Sequence, residues 1–589
     1  MNKIFFVKYL NELIMGVALI ILLLIIFWAS NKGLDMTDES FYLFNYSMPK
    51  NFKMSFTSFH LIQNYLFPFV NCTIQNLRIE RLILYIFSAV FFAYSSCYYL
   101  RNTCNLKFHK TNSFTLYALI IAGILLSYAF GPQTPSYNTF STFFILASTS
   151  FFLFDLSKQQ TKSKIIFIYL FIGFFCGILF LVKFPNSIFM PAIFITFYFF
   201  YNLVSAEDNL RVLFSSVYRL FLIASSYLLF HLLFWKGFRP AFQFHKDFFE
   251  YINGFNGYET NTILYIYSSS FLSIFRALMT LKFLLIIFSF VGIVWSILKK
   301  QNTVFYIFII IQLLIVIKFK IFFAGGEFIY EQSIIYLLWT LTLIFMFLIK
   351  HKNYKTIRTK EFKKQLLFIF FLLFMPIFAV IGTSNSIQVQ VIFYIPFWMF
   401  IIYLILEYDF NNKINKTIYL FITLLASVQS VNALIYHPYR IGGNLISQNQ
   451  IVSVGKNDMV LVDNGFKKNI FIIDSILRKS GFKKNDYIFT YTDVLGLAYI
   501  YDYKMPSLGS VWFDAKNEVG NVKTLQLFHN TYKKVQLFFV LDKRYPFSSS
   551  FKLSLTKLGY DFDNNYKKVG EVLVNFGKDE HFLLIYAPQ

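Results

Sequence analysis

Thirteen stretches of mostly apolar residues, each near the length of a bilayer crossing, follow one another through the first three quarters of the chain. They lie at 9–29, 82–100, 113–130, 139–156, 165–182, 186–203, 212–235, 279–298, 303–317, 333–349, 365–382, 389–407 and 417–436. A helix needs about 20 such residues to cross the hydrocarbon layer. Inside lipid its backbone has no water to bond, so each run is helical or does not span. The pattern predicts a polytopic α-helical membrane protein of about thirteen spans, in which 303–317 is the shortest. Of the 589 residues, 57% are hydrophobic and 14% charged, against roughly 25% charged in a soluble domain. A purely soluble enzyme, a fibrous chain and a disordered chain are excluded.

The formal charge is +24, but its placement argues against a nucleic-acid partner. Residues 1–436 hold 34 basic and 16 acidic residues, and the basic ones gather in short loops, where they orient membrane helices. With the N-terminus inside, the inside loops contain Arg101, Lys107 and Lys110; Lys158, Lys162 and Lys164; Lys299 and Lys300; and the run Lys350, Lys352, Lys355, Arg358, Lys360, Lys363 and Lys364. The outside loops 131–138 and 383–388 carry no charge. The first span, behind Lys3 and Lys8, reads as an uncleaved signal anchor. An odd number of spans then places 437–589 outside the inner (cytoplasmic) membrane. Two further outside segments, 52–70 and 236–278, are aromatic but interrupted by polar residues, as interfacial segments are.

Beyond residue 436 the pattern changes. Short strand-like runs at 459–463, 487–491, 535–541, 569–576 and 581–587 alternate with helix-like runs near 465–480, 521–533 and 549–559. This predicts a small extracytoplasmic α/β domain at the C-terminus, 437–589, after a transmembrane domain, 1–436. No glycine-rich phosphate loop precedes any of its helices. The four cysteines, Cys72, Cys97, Cys104 and Cys176, form no Cys-x-x-Cys pair, which gives no zinc or redox signature.

The first outside loop reads Gly33-Leu-Asp35-Met-Thr-Asp38-Glu39-Ser-Phe-Tyr42. Carboxylates near a lipid boundary are partly desolvated, which raises their proton affinity. That suits a general base or ligands for a divalent cation. The other reading of the same residues is a solvated acidic loop.

An Asp-Glu pair followed by an aromatic run, placed after the first membrane helix, resembles the first-loop motif of the C-type (GT-C) membrane glycosyltransferases, which include protein O-mannosyltransferases and aminoarabinose transferases. Pro135-Ser-Tyr137-Asn138, Leu181-Val-Lys183-Phe-Pro185 and Gly382-Thr-Ser-Asn385-Ser are similar to segments of its bacterial members. The Trp-Trp-Asp signature of oligosaccharyltransferases is missing. The resemblance implies a GT-C-like fold and inverting transfer of one sugar from a polyprenyl-phosphate carrier to an extracytoplasmic acceptor (glycolipid, glycan or protein). It makes Asp38 the base and Glu39 its partner, with both as candidate ligands of a divalent metal ion, the one cofactor candidate. Departing phosphate needs cations or donors, for which Lys183, Arg440, Arg276 and His60 are the candidates. Lys318 and Lys320 rank lower, because snorkelling explains them. Tyr42, Tyr137 and Asn138 are candidates for contact with sugar or acceptor. For Tyr42 the alternative is the interfacial aromatic belt; for Tyr137 and Asn138 it is capping of the fourth helix. A transporter or flippase, a glycan polymerase or ligase, and a structural envelope protein are the competing functions.

Overall fold

The computed structural model describes residues 3–47, 58–103, 110–157, 160–205, 208–252, 260–322, 329–351, 359–383, 385–409, 415–455, 458–483, 486–492, 494–505, 513, 515, 518–532, 535–576 and 580–589. The sequence expectations on Phe52 to Thr57, Cys104, Lys107, Lys158, Lys352, Lys355, Arg358, Ser384 and Lys533 lie outside the described residues.

Helices make up the first part of the chain: α1 (Lys3–Ala29), α2 (Asp38–Ser47), α3 (Phe59–Leu66), α4 (Ile74–Thr103), α5 (Lys110–Tyr128), α6 (Tyr137–Leu156), α7 (Lys162–Val182), α8 (Phe184–Leu203), α9 (Asn209–Phe234), α10 (Phe238–Ile252), α11 (Thr260–Leu278), α12 (Leu281–Leu298), α13 (Asn302–Lys318), α14 (Ile329–Lys350), α15 (Lys360–Val380), α16 (Ile395–Asp409, entered through short turns from Ile387) and α17 (Asn415–Ile435). Among the described residues eleven helices are long and apolar enough to cross a membrane. Two of the thirteen expected spans, at Ser113–Tyr128 and Asn302–Lys318, are apolar but shorter. The chain is a multi-pass membrane protein. Its centre is the segment Ile387–Tyr408, which is almost wholly buried, whereas little of α9 is buried. Phe214, Phe221 and Leu233 point outward from α9. Such a contiguous apolar surface belongs against lipid rather than water.

The α4 helix starts well before the apolar run at 82. Its first turns bury Arg78, Glu80 and Arg81, charges that interrupt the hydrophobic pattern and hide the helix start from it. Inside the bundle these charges have partners, so helix continues through them.

The C-terminal region is α/β, as expected. Strand β1 (Gln450–Val454), which the sequence reading missed, pairs antiparallel with β2 (Asp458–Val462). A second sheet has the order β3 (Tyr487–Tyr491), β4 (Leu537–Asp542), β6 (Glu580–Pro588), β5 (Tyr566–Asn575). Only β3 and β4 run parallel. Every residue of β4 is buried, so an unbroken apolar run stands where both sheet faces are covered. Helices α18 (Asn464–Lys479), α19 (Gly496–Ile500), α20 (Glu518–Thr531) and α21 (Ser549–Lys557) intervene.

The first loop ties this region to the membrane bundle. The Gly33 amide donates to the Leu461 carbonyl (2.7 Å) and the Leu461 amide to the Asn31 carbonyl (2.9 Å), extending β2 by one short bridge. Gly33 has φ +68°, and a Cβ there would lie 2.7 Å from Ile441. Gly496 opens α19 against the turn before α2: its amide donates to the Met36 carbonyl at 2.9 Å, and a Cβ would lie 2.6 Å from the Met36 sulfur. At both positions a side chain would push the loop off the domain.

Candidate active site

Three carboxylates in five residues meet three different environments. Asp35 is buried and knits the turn that starts α2. Its Oδ1 accepts from the Thr37 amide (2.8 Å) and hydroxyl (2.7 Å), and its Oδ2 accepts from the Glu39 amide (3.1 Å). This is the service that a carboxylate gives to the unpaired amides of a helix start. Glu39 turns into the protein. Arg78 donates to it twice, Nε to Oε1 at 2.9 Å and Nη2 to Oε2 at 2.7 Å. The remaining donors of Arg78 reach the carbonyls of Ser30 (3.3 Å), Lys32 (2.8 Å) and Gly33 (2.7 Å). The planar fork of a guanidinium suits this arrangement, and the first loop is folded around it.

Asp38 alone of the three keeps access to solvent, with its side chain 23% exposed. The Tyr439 hydroxyl donates to its Oδ2 at 2.7 Å, and Arg440 Nη1 stands 3.3 Å away. Arg440 also donates to the Thr37 hydroxyl (2.7 Å) and lies over the Tyr439 ring. Its backbone is left-handed, at φ +50°. That conformation is uncommon for a residue with a long side chain and is held only where surrounding contacts impose it. Here the turn after the last membrane helix brings both Tyr439 and Arg440 onto Asp38.

The segments that the sequence singled out meet at this end of the bundle. The Tyr46 hydroxyl donates to the Pro135 carbonyl (2.8 Å), and Arg81 donates to the carbonyls of Phe130 (3.0 Å), Ser127 (3.3 Å) and Pro132. Asn385 donates to the Tyr137 hydroxyl (3.4 Å). Lys183 Nζ and Asn186 Nδ2 both donate to the Ala379 carbonyl, at 2.7 and 3.0 Å. The Ser58 amide donates to the Leu181 carbonyl (2.7 Å), which joins the α3 entry to the end of α7.

Tyr42 is buried, its ring edge-on to Phe59. Burial, with Tyr137, Asp38, Tyr439 and Tyr46 adding to it, pushes its hydroxyl well above the ordinary tyrosine pKa. It therefore sits among the site's aromatic residues rather than in an exposed belt. His60 is buried in α3 beside Phe59. Asn138 stands in the first turn of α6 but is not its cap: Ser136 accepts from the Thr139 amide, and Thr139 answers the Ser136 amide. A serine one residue before the helix is placed to close that box, whereas Asn138 already has helical backbone. Arg276 is exposed at the end of α11, and among the described residues no hydrogen bond or ion pair joins it to the acidic loop.

Burial, then the charge of Asp38, raises the Asp35 pKa to about 7, with Arg440 and Thr37 opposing. The folded protein thus holds this proton over a range in which the unfolded chain has lost it. Asp35 contributes most to stability below the ordinary aspartate pKa of about 4, and the contribution falls as pH rises to about 7. The stability difference between wild type and Asp35→Asn is expected to shrink in favour of the variant across that interval and to level off above it. Thermal unfolding at several pH values tests this, and a difference constant with pH excludes the titration.

The acidic residues do not fit a divalent metal ion. Asp35 accepts from three donors, both oxygens of Glu39 are held by Arg78, and Asp38 faces a second guanidinium. A cation at Asp38 would sit against Arg440. Among the described residues no group of three His, Cys, Asp or Glu side chains is gathered as a metal site. The arrangement presents one accessible carboxylate, a phenol bonded to it and a guanidinium paired with it.

Arg78, Arg81, Thr37 and Tyr439 are the site residues that sequence reading missed. The signal for the arginines was their spacing: positions 78 and 81 lie on one helix face, just ahead of an apolar run.

No protein-family model matches the chain, and no curated protein does. Among solved structures the chain is similar to the Archaeoglobus fulgidus oligosaccharyltransferase in its complex with Zn and sulfate, with a TM-score of 0.43 and 12% identity over 89% of this chain and 68% of that one. It is similar to oligosaccharyltransferase AglB from the same archaeon in complex with an inhibitory peptide and a dolichol-phosphate, with a TM-score of 0.42 and 11% identity over 91% and 70%. It is also similar to ArnT from Cupriavidus metallidurans bound to undecaprenyl phosphate, with a TM-score of 0.36 and 11% identity over 97% of each chain.

Proposed function

We propose that this chain is an inverting glycosyltransferase that moves a single hexosyl or pentosyl unit from a polyprenyl-phosphate carrier to an acceptor on the extracytoplasmic face of the inner membrane. The observation that carries the reading is Asp38: a solvent-accessible carboxylate just beyond the first membrane helix, held by Tyr439 and Arg440 while its two acidic neighbours are locked in structural bonds.

The reaction makes one bond and breaks one. Asp38 takes the proton of an acceptor hydroxyl as its oxygen attacks the anomeric carbon. The bond from that carbon to the carrier phosphate breaks from the opposite face, which inverts the centre. The phosphate leaves with the bonding pair and needs positive charge near it. Arg440 is the closest cation to the base. When it swings to phosphate, Asp38 loses its paired charge and becomes the stronger base, so donor arrival and base activation are linked. Lys183, at the turn between α7 and α8, is the second candidate for the carrier phosphate and would have to leave the Ala379 carbonyl to reach it; His60 lies in α3, whose Phe59 packs on Tyr42, and Arg276 is exposed at the end of α11. Tyr42, Tyr137 and Asn138 are the proposed contacts for sugar or acceptor. Glu39 serves as the positioning partner of Asp38 by anchoring the loop to Arg78.

Cells carrying wild-type protein or Asp38→Asn test the reading through their envelope glycans and polyprenyl-phosphate sugars. Loss of one sugar modification with build-up of its lipid donor is the expected result. An unchanged glycan profile at equal protein level overturns it. Glycolipid trapped on the cytoplasmic leaflet identifies a flippase instead.

A further inference from the structure

A cavity of about 570 Å³ lies at the far end of α2 from Asp38, between the membrane bundle and the C-terminal region. Phe44 comes from α2, Asn71 and Thr73 from the segment before α4, Asp458 from the start of β2, and Tyr499 and Asp502 from α19 and its exit.

The polar groups of this cavity are incompletely used. Tyr499 is 7% exposed. Among the described residues its hydroxyl has no hydrogen-bond partner, and it is not sealed off from the cavity that the side chain lines. The Asp502 carboxylate likewise has no hydrogen bond or ion pair among the described residues, and its backbone is left-handed at φ +54°. Asp458 accepts from the Ile74 amide (2.5 Å) and the Met459 amide (2.8 Å), one bond to each oxygen, which leaves further lone pairs open. No lysine or arginine is among the described lining residues, and the nearby Arg78 is committed to Glu39.

Among the described lining residues, phosphate or carboxylate on a ligand would meet two carboxylates and no lysine or arginine. A neutral sugar ring meets what it requires: acceptors for its hydroxyl protons, an amide and a phenol that bond either way, and aromatic faces for its C–H surface. We infer that this cavity is a subsite for an uncharged sugar residue of a glycan acceptor. Along α2, Ser47 at the cavity stands nine residues from Asp38, about 14 Å at the usual rise. The acceptor is therefore an oligosaccharide chain, bound at a point several bonds from where it is extended. This assignment rests on the reading of Asp38 as the transfer site.

Purified full-length protein in lipid nanodiscs is titrated with the chitin hexasaccharide, maltohexaose, the hexamer of galacturonic acid, and hexalysine, by calorimetry and saturation-transfer NMR. At least one neutral hexamer is expected to bind saturably, and the galacturonate hexamer is not. Asp502→Asn and Tyr499→Phe are each expected to weaken the neutral ligand by about tenfold, the loss typical of one strong hydrogen bond, at unchanged thermal midpoint. Asp38→Asn leaves this affinity as it was. Three results overturn the subsite: no saturable binding of either neutral hexamer, tighter binding of the acidic hexamer or of hexalysine, or wild-type affinity in both variants. Transfer that survives Asp38→Asn overturns the acceptor role while the binding result stands, so the two failures are told apart.

Discussion

Asp38→Asn is expected to slow sugar transfer by about 10²- to 10⁴-fold, the range that a positioned general base contributes, with the protein folded and the donor still bound. The amide matches the carboxylate in shape, and its oxygen can still accept from Tyr439. What it lacks is the negative charge and the ability to take a proton. The ion pair with Arg440 is partly exposed, and such pairs contribute little to stability, so folding is not the quantity at risk. Single-turnover transfer from a polyprenyl-phosphate sugar in vesicles separates the chemical step from donor binding. A lower kcat at unchanged or lower KM is the signature, because Arg440 is then free for phosphate. Transfer at the wild-type rate removes Asp38 from the chemistry.

The neighbouring acids respond differently because their bonds differ. Asp35 holds a turn and Glu39 holds a guanidinium, both away from water. Substituting either one acts on the loop first and on the reaction through it. Residue type alone presents three carboxylates of equal standing, and only the family resemblance put Asp38 first with Glu39 as its partner. What ranks them is the partner of each: the local turn donors Thr37 and the Glu39 amide for Asp35, and the distant Tyr439 and Arg440 for Asp38 and Arg78 for Glu39.

Legibility followed periodicity. Apolar runs of spanning length survive any arrangement of their neighbours, so the bundle was readable, and strand-like runs such as 487–491 gave the α/β region. The hairpin strand Gln450–Val454 was not, because its residues Gln450, Ser453 and an exposed Ile451 carry little apolar alternation. Helix α19 was missed because five residues are too few to show a period. Arg78 and Arg81 were lost for the opposite reason. Charges at the edge of a hydrophobic run look like its boundary, and only the folded loops reveal that they are buried within it. Arg440 was singled out as a phosphate ligand by position, but its contact with Asp38 depends on a backbone turn that no spacing rule encodes.

The second large effect belongs to Arg78. Arg78→Met is expected to destabilise the protein by about 3–5 kcal/mol, the cost of leaving one member of a buried ion pair without its partner. Glu39 would keep a buried negative charge, and three loop carbonyls would lose their donor at once. Arg78→Lys should fall between, since an ammonium cannot reproduce the fork that reaches Glu39 and the carbonyls together. Thermal unfolding in nanodiscs gives the first reading, and proteolytic sensitivity of the first loop gives the second. The double variant Arg78→Met with Glu39→Met removes the orphaned charge and should recover part of the lost stability. It does not restore the bonds to Ser30, Lys32 and Gly33, so the turn that presents Asp38 stays loose. Recovered melting with transfer still impaired would therefore assign Arg78 the role of holding Asp38 in place. A single variant that melts with the wild type would mean that the buried pair contributes nothing to the loop.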